Sequence, residues 1–146
     1  MINKVNDICR MNKRHIGNKN IILLNDSELI HEARKGITRS KVMDILELTE
    51  LTILEMCQYI HVSPRTLQRK DYKEYLPSEI SEKVLLIQNL YARGSKTFGS
   101  LESFSDWMNT PNITMEGQKP KDLLDTYSGI EYLKHELGRL EHGLIA

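Results

Sequence analysis

At 146 residues the chain has room for one domain or two small ones, with enough length for a real core. Apolar residues make up 40% and charged residues 27%, the composition of an ordinary soluble protein, and a net charge of zero excludes a global basic field that would by itself mark a nucleic-acid binder. No apolar run is longer than Ile21–Leu24, which is far too short to cross a membrane, and Met1–Arg14 lacks the apolar region of a signal peptide.

Residues 1–20 are polar and rich in Asn and Lys, and read as a loose arm. Ile21–Leu24 reads as a short strand or a hydrophobic plug. Asp26 or Ser27 is expected to cap a helix through Lys35, with Leu29, Ile30 and Ala33 inside and Gly36 as its stop. Ser40 is expected to start the next helix, with Val42, Met43, Ile45 and Leu46 as its apolar set. Thr52 and Glu55 then have capping-box spacing, and Met56, Cys57 and Ile60 share one face. Ser63 caps a second short helix with Pro64 at its first position, where a missing N–H costs nothing. Leu67 points to the core, leaving Arg65, Gln68, Arg69 and Lys70 toward water or a ligand.

Asp71–Pro77 is a connector. Ser78 opens a long helix to Phe98, with a stripe of Ile80, Val84, Ile87 and Tyr91 flanked by Leu86 and Leu90. Gly94 predicts a kink or fraying there. Gly99–Ser100 reads as a hinge, Leu101–Met108 as a short helix holding Trp107, and Thr110–Lys119 as a loop. Pro120 opens a short helix with Leu123 and Leu124 inward. Thr126 or Ser128 caps the last helix, and Ser128-x-x-Glu131 matches a capping box. Ile130, Leu133, Leu137 and Leu140 form its apolar stripe, and Gly143 ends it. The fold class is therefore all-α.

Residues 52–70 have the layout of a helix-turn-helix, with one helix as brace and one offering polar forks to DNA. Cys57 and His61 occupy its two tight positions. Cys57 is small, as helix contact requires, and His61 tolerates left-handed backbone better than branched residues do. Arg65 and Arg69 suit guanine edges or phosphates, Gln68 suits adenine, and Ser63, Thr66 and Lys70 complete the candidate DNA surface. The recognition helix is short, so a homodimer reading two half-sites is expected. Charge is unevenly spread: residues 1–41 hold nine Lys/Arg against four Asp/Glu, and residues 100–146 hold four against eight. Such a basic front and acidic back suggest two kinds of partner, or two solvated surfaces.

Cys9 and Cys57 make no disulfide framework, which fits a reducing cytoplasm. Cys57 and His61 at i, i+4 lack the further ligands of a structural zinc site, so no metal is expected. Gly94-Ser95-Lys96-Thr97 lacks the earlier Gly of a phosphate loop and follows a helix rather than a strand. The five histidines are scattered, with His135 and His142 on the wet side of the last helix. No Ser/His/Asp or paired-carboxylate set can be assembled, so neither an enzyme nor a cofactor is expected. The apolar tail Leu144-Ile145-Ala146 is either a frayed end or a peptide for insertion into a partner.

Three stretches carry a family resemblance: Trp107-Met108-Asn109-Thr110-Pro111-Asn112, then Glu116-Gly117-Gln118-Lys119-Pro120-Lys121-Asp122-Leu123-Leu124-Asp125-Thr126 with Gly129, then Leu137-Gly138-Arg139-Leu140-Glu141-His142-Gly143. Together with Gly36-Ile37 and Ser63–Arg69, the pattern resembles the Xre/MbcA/ParS-type antitoxins, with an Xre-like helix-turn-helix part followed by a small helical toxin-binding domain. It covers about residues 27–146. Glu116 departs from it where the family often has the first Gly of a pair, and Gly94 interrupts a helix that is usually continuous.

The resemblance implies an antitoxin of a type II pair whose partner is a RES-type toxin that consumes NAD. It implies inhibition by occluding the toxin's active site with the last helix and chain end, and autorepression of the operon. Arg139, Glu141, His142, Gly143, Leu144, Ile145 and Ala146 would form the toxin-binding set. The expected organisation is an arm at 1–26, which the resemblance does not cover, a DNA-binding and dimerisation domain at 27–98, and a toxin-binding domain at 99–146. The alternative is a stand-alone regulator whose C-terminal half dimerises or senses a ligand.

Overall fold

A computed structural model describes residues 21–143. Among these residues the fold is all-helical, with no strand beyond a single bridge between Thr38 and Tyr75. The elements in order are α1 (Asp26–Lys35), α2 (Arg39–Thr49), α3 (Ile53–Tyr59), α4 (Pro64–Arg69), α5 (Ser78–Phe98), α6 (Leu101–Asn109) and α7 (Tyr127–Glu141), with short 3-10 helices at Ile113–Met115 and Pro120–Asp125. No described helix is long and apolar enough to cross a membrane.

α5 is the central pillar. Val84, Leu85, Ile87, Leu90, Tyr91 and Ala92 are all buried, so apolar contacts surround much of its circumference. α1 and α2 pack on it from the N-terminal side, and α6 and α7 from the C-terminal side. One continuous apolar cluster runs from Leu29 to Leu137. Ile21–Leu24 forms no strand; Ile21 and Leu24 pack partly buried against the core, while Ile22 and Leu23 are exposed. Asn89 clasps the segment, with its amide group donating to the Leu24 carbonyl and accepting from the Leu24 N–H, both at 2.9 Å.

Several local expectations change. Asn25, not Asp26 or Ser27, caps α1, because only Asn25 has a Glu three residues on, and Glu28 completes the box. Ile30 is 48% exposed rather than inside. Thr38 caps α2, which starts one residue before Ser40. α5 runs unbroken through Gly94, where a Cβ would lie 2.4 Å from the Phe104 ring. Gly94 is therefore the seat for Phe104, which meets Tyr91 edge-to-face, Phe98 at a tilt and Trp107 in a stack. Gly99, in left-handed geometry, and Ser100, as the cap of α6, make a tight reversal.

Thr126 alone caps α7, and the Ser128–Glu131 box does not form. The reason is tertiary. A Cβ on Gly129 would lie 1.8 Å from the Leu123 carbonyl oxygen, so the helix start is fixed by that close approach. Glu131 pairs instead with Lys134 at 2.8 Å.

Candidate functional site

Two surfaces and the seam between them carry the chemistry. The first is α3–turn–α4. Thr52 and Glu55 form the reciprocal capping box, and Met56, Cys57 and Ile60 are buried. His61 turns the chain with φ of 55°, as its tight position requires. Ser63 accepts from the Thr66 N–H, Pro64 opens α4, and Leu67 is fully buried. Ser63, Arg65, Thr66, Gln68 and Arg69 are thereby all left exposed along one six-residue helix and its cap. Lys70 is half-buried just beyond α4, and its ammonium is held by Glu74 at 2.7 Å. Arg39 gave no signal in the sequence. It donates to the Lys70 carbonyl at 3.2 Å and sits over the Tyr72 ring, so it steadies the end of α4.

The second surface is the C-terminal end of α7. Arg139 is exposed and pairs with Glu136 at 2.9 Å. His142 and Gly143 are exposed at the helix stop, where Gly143 takes φ of 68°. Glu141 has a different setting from its neighbours. Its carboxylate receives a two-pronged grip from the Arg93 guanidinium, at 2.9 and 2.6 Å, and a hydrogen bond from Thr97 at 2.8 Å. The Arg93 hydrogen bonds hold the Glu141 carboxyl down at about 2. Glu141 thus clamps the end of α7 onto α5. Gly138 belongs to the same device, because a Cβ there would lie 3.3 Å from the Arg93 guanidinium. Leu144, Ile145 and Ala146 lie outside the described residues.

The seam joins α3 and its turn to the segment that leads into α7. The Asp125 carbonyl, just before the cap of α7, meets His61 Nε2 at 2.9 Å and also accepts from the Lys83 ammonium. Lys83 is buried under the Tyr127 ring, and burial lowers its pKa. Lys121 bridges to Glu55 at 2.8 Å. Burial acts to raise the Glu55 carboxyl, but hydrogen bonds from Lys121 and Thr52 outweigh it, and the net shift is downward. A cleft of about 340 Å³ separates α3 from the 120–125 turn, lined by Glu55, Tyr59, His61, Lys121, Asp122 and Asp125. Burial, then the nearby Glu55, Asp122 and Asp125, push the Tyr59 hydroxyl upward, so it stays neutral. The role of the Asp125 carbonyl carries no sequence signal, because any residue supplies one.

Residues 94–143 match the antitoxin Xre/MbcA/ParS C-terminal toxin-binding domain, which bears out the resemblance at the residues that carry it most clearly. The matched segment starts inside α5 and includes α6, both 3-10 helices and α7. A chain in the crystal structure of the M. tuberculosis MbcT-MbcA toxin-antitoxin complex shares the fold, with a TM-score of 0.54 and 18% identity, over 74% of this chain and 96% of that one. No curated protein matches the sequence.

Proposed function

We propose that this chain is the antitoxin of a type II toxin–antitoxin pair, a binding protein rather than an enzyme, acting in the cytoplasm. The match of residues 94–143 to a toxin-binding domain carries this reading. The finer points come from the family resemblance and from surface chemistry. The toxin would be of the RES type, consuming NAD, and the end of α7 with Leu144-Ile145-Ala146 would enter its active-site mouth. The clamp of Glu141 on Arg93 supports this, because it holds the helix end still and so reduces the ordering cost of binding. Glu141 then acts as a positioning residue, while Arg139, His142, Gly143 and the tail are left to meet the toxin.

Operator binding through α4 is the second half of the proposal. It is supported by the cap, the left-handed turn at His61 and the exposed Arg65, Gln68 and Arg69. So short a helix reads few base pairs, which favours a homodimer on two half-sites.

The test is co-expression with the product of the reading frame beside this gene. The full chain should co-purify with that product and abolish its NAD consumption. A chain lacking Leu144–Ala146 should neutralise poorly yet retard operator DNA as well as the full chain does. Full neutralisation by the truncated chain would reject tail occlusion, and absence of any complex would favour a stand-alone regulator.

A further inference from the structure

Ile113 is the most exposed large apolar side chain among the described residues, at 94%. A lone surface isoleucine is ordinary. This one sits at the tip of a turn that is over-determined. The Asn112 side chain accepts from both the backbone and the hydroxyl of Thr114, at 3.0 and 2.8 Å. The Asn112 N–H donates to the Gln118 carbonyl, and the Asn112 carbonyl accepts from Gly117. Glu116 and Gly117 close the turn with positive φ, and Met115 is buried beneath it. The turn buries its methionine and presents its isoleucine on a fixed mount.

Tyr132 of α7 donates from its hydroxyl to the Thr114 carbonyl at 3.4 Å, so its ring, 39% exposed, adjoins this turn. From Tyr132, positions 135, 139 and 142 follow the same outward face of α7. The charges flanking that face are internally neutralised, Glu131 by Lys134 and Arg139 by Glu136. A face with apolar groups at one end and few unspent charges along it suits a protein surface rather than a phosphate backbone.

We infer that Ile113 and Tyr132 form an apolar anchor for the toxin, about 15 Å along the α7 axis from His142. This inference rests on the antitoxin reading, since both residues lie within the matched toxin-binding segment. The rigid mount makes Ile113 a preorganised contact, and the domain gains a two-point grip in which the described end of α7 supplies one point and the turn the other.

The test measures affinity for the neighbouring-frame product by calorimetry. Ile113→Asp should weaken binding by about ten- to a hundredfold, the range that burying one isoleucine supports. Ile113→Ala and Tyr132→Ala should each weaken it less. Leu54→Asp, on α3 and itself 61% exposed, is the control and should bind as the unsubstituted chain does. Unchanged thermal melting of Ile113→Asp would confirm that the loss is one of contact. Equal binding by Ile113→Asp and the unsubstituted chain would overturn the anchor and leave the antitoxin reading standing. No binding by the unsubstituted chain would overturn both.

Discussion

Two glycines in the segment that matches a toxin-binding domain are required for close approach rather than for a turn. At Gly129 an added Cβ meets the backbone carbonyl of Leu123 at 1.8 Å, and backbone cannot step aside as a side chain can. Gly129→Ala should cost about 3 kcal/mol, measured by urea denaturation, with the cap at Thr126 lost as well. Gly94→Ala is the sharper test, because two effects oppose. Helix propensity favours Ala by about 1 kcal/mol. The Phe104 ring at 2.4 Å opposes it by about 1–3 kcal/mol of overpacking. Net destabilisation is expected, and a more stable Gly94→Ala protein would show that the ring has room to move. The Glu141 clamp adds a pH signature. Its folded value lies near 2 against an ordinary 4.5, so the contribution is complete above pH 4.5 and is lost as pH falls toward 2. With a third of each side chain exposed, screening leaves about 1 kcal/mol. Stability of Arg93→Ala should therefore fall less steeply with acid than that of the unsubstituted chain.

Elements were legible where their signals are local. α3 and α4 follow from Thr52, Glu55, Ser63 and Pro64, each acting within one turn of itself. The start of α1 was also encoded, because Asn25 with Glu28 completes a box that neither Asp26 with Leu29 nor Ser27 with Ile30 can form. At α7 the reverse holds. Ser128 and Glu131 satisfy the local rule, and the close approach of Gly129 to Leu123 overrides it. Gly94 read as a weakness because its partner, Phe104, belongs to the next helix. The site divides in the same way. The exposure of Arg65, Gln68 and Arg69 follows from the cap and from Leu67, whereas the tie from Glu141 to Arg93 spans 48 positions and leaves no periodic trace. For α4 itself, Arg65→Ala with Arg69→Ala should weaken operator binding. If both touch phosphate, the slope of log affinity against log salt should become shallower by about 1.8. An unchanged slope would move both arginines off the backbone.

On the scale of the whole molecule, the α4 surface and the end of α7 belong to one core. α5 packs on α1, α2, α6 and α7, and the apolar cluster extends without a break to Met56, Cys57 and Leu67 of α3 and α4. The seam adds polar ties: the Asp125 carbonyl holds His61 and Lys83, and Lys121 holds Glu55. A protein built this way should unfold as one unit. Trp107, the sole tryptophan, sits in α6 against Phe98 and Phe104, so its fluorescence reports the C-terminal side alone. Far-UV circular dichroism reports every helix. The two urea transitions should coincide in midpoint and steepness. Substituting His61→Ala with Lys121→Ala removes the lateral ties but leaves α5, so both curves should move together to lower urea. If instead the tryptophan curve separated from the dichroism curve in the unsubstituted chain, α5 would be two half-pillars in energetic terms. A load placed on α7 by a toxin would then not be felt at α4.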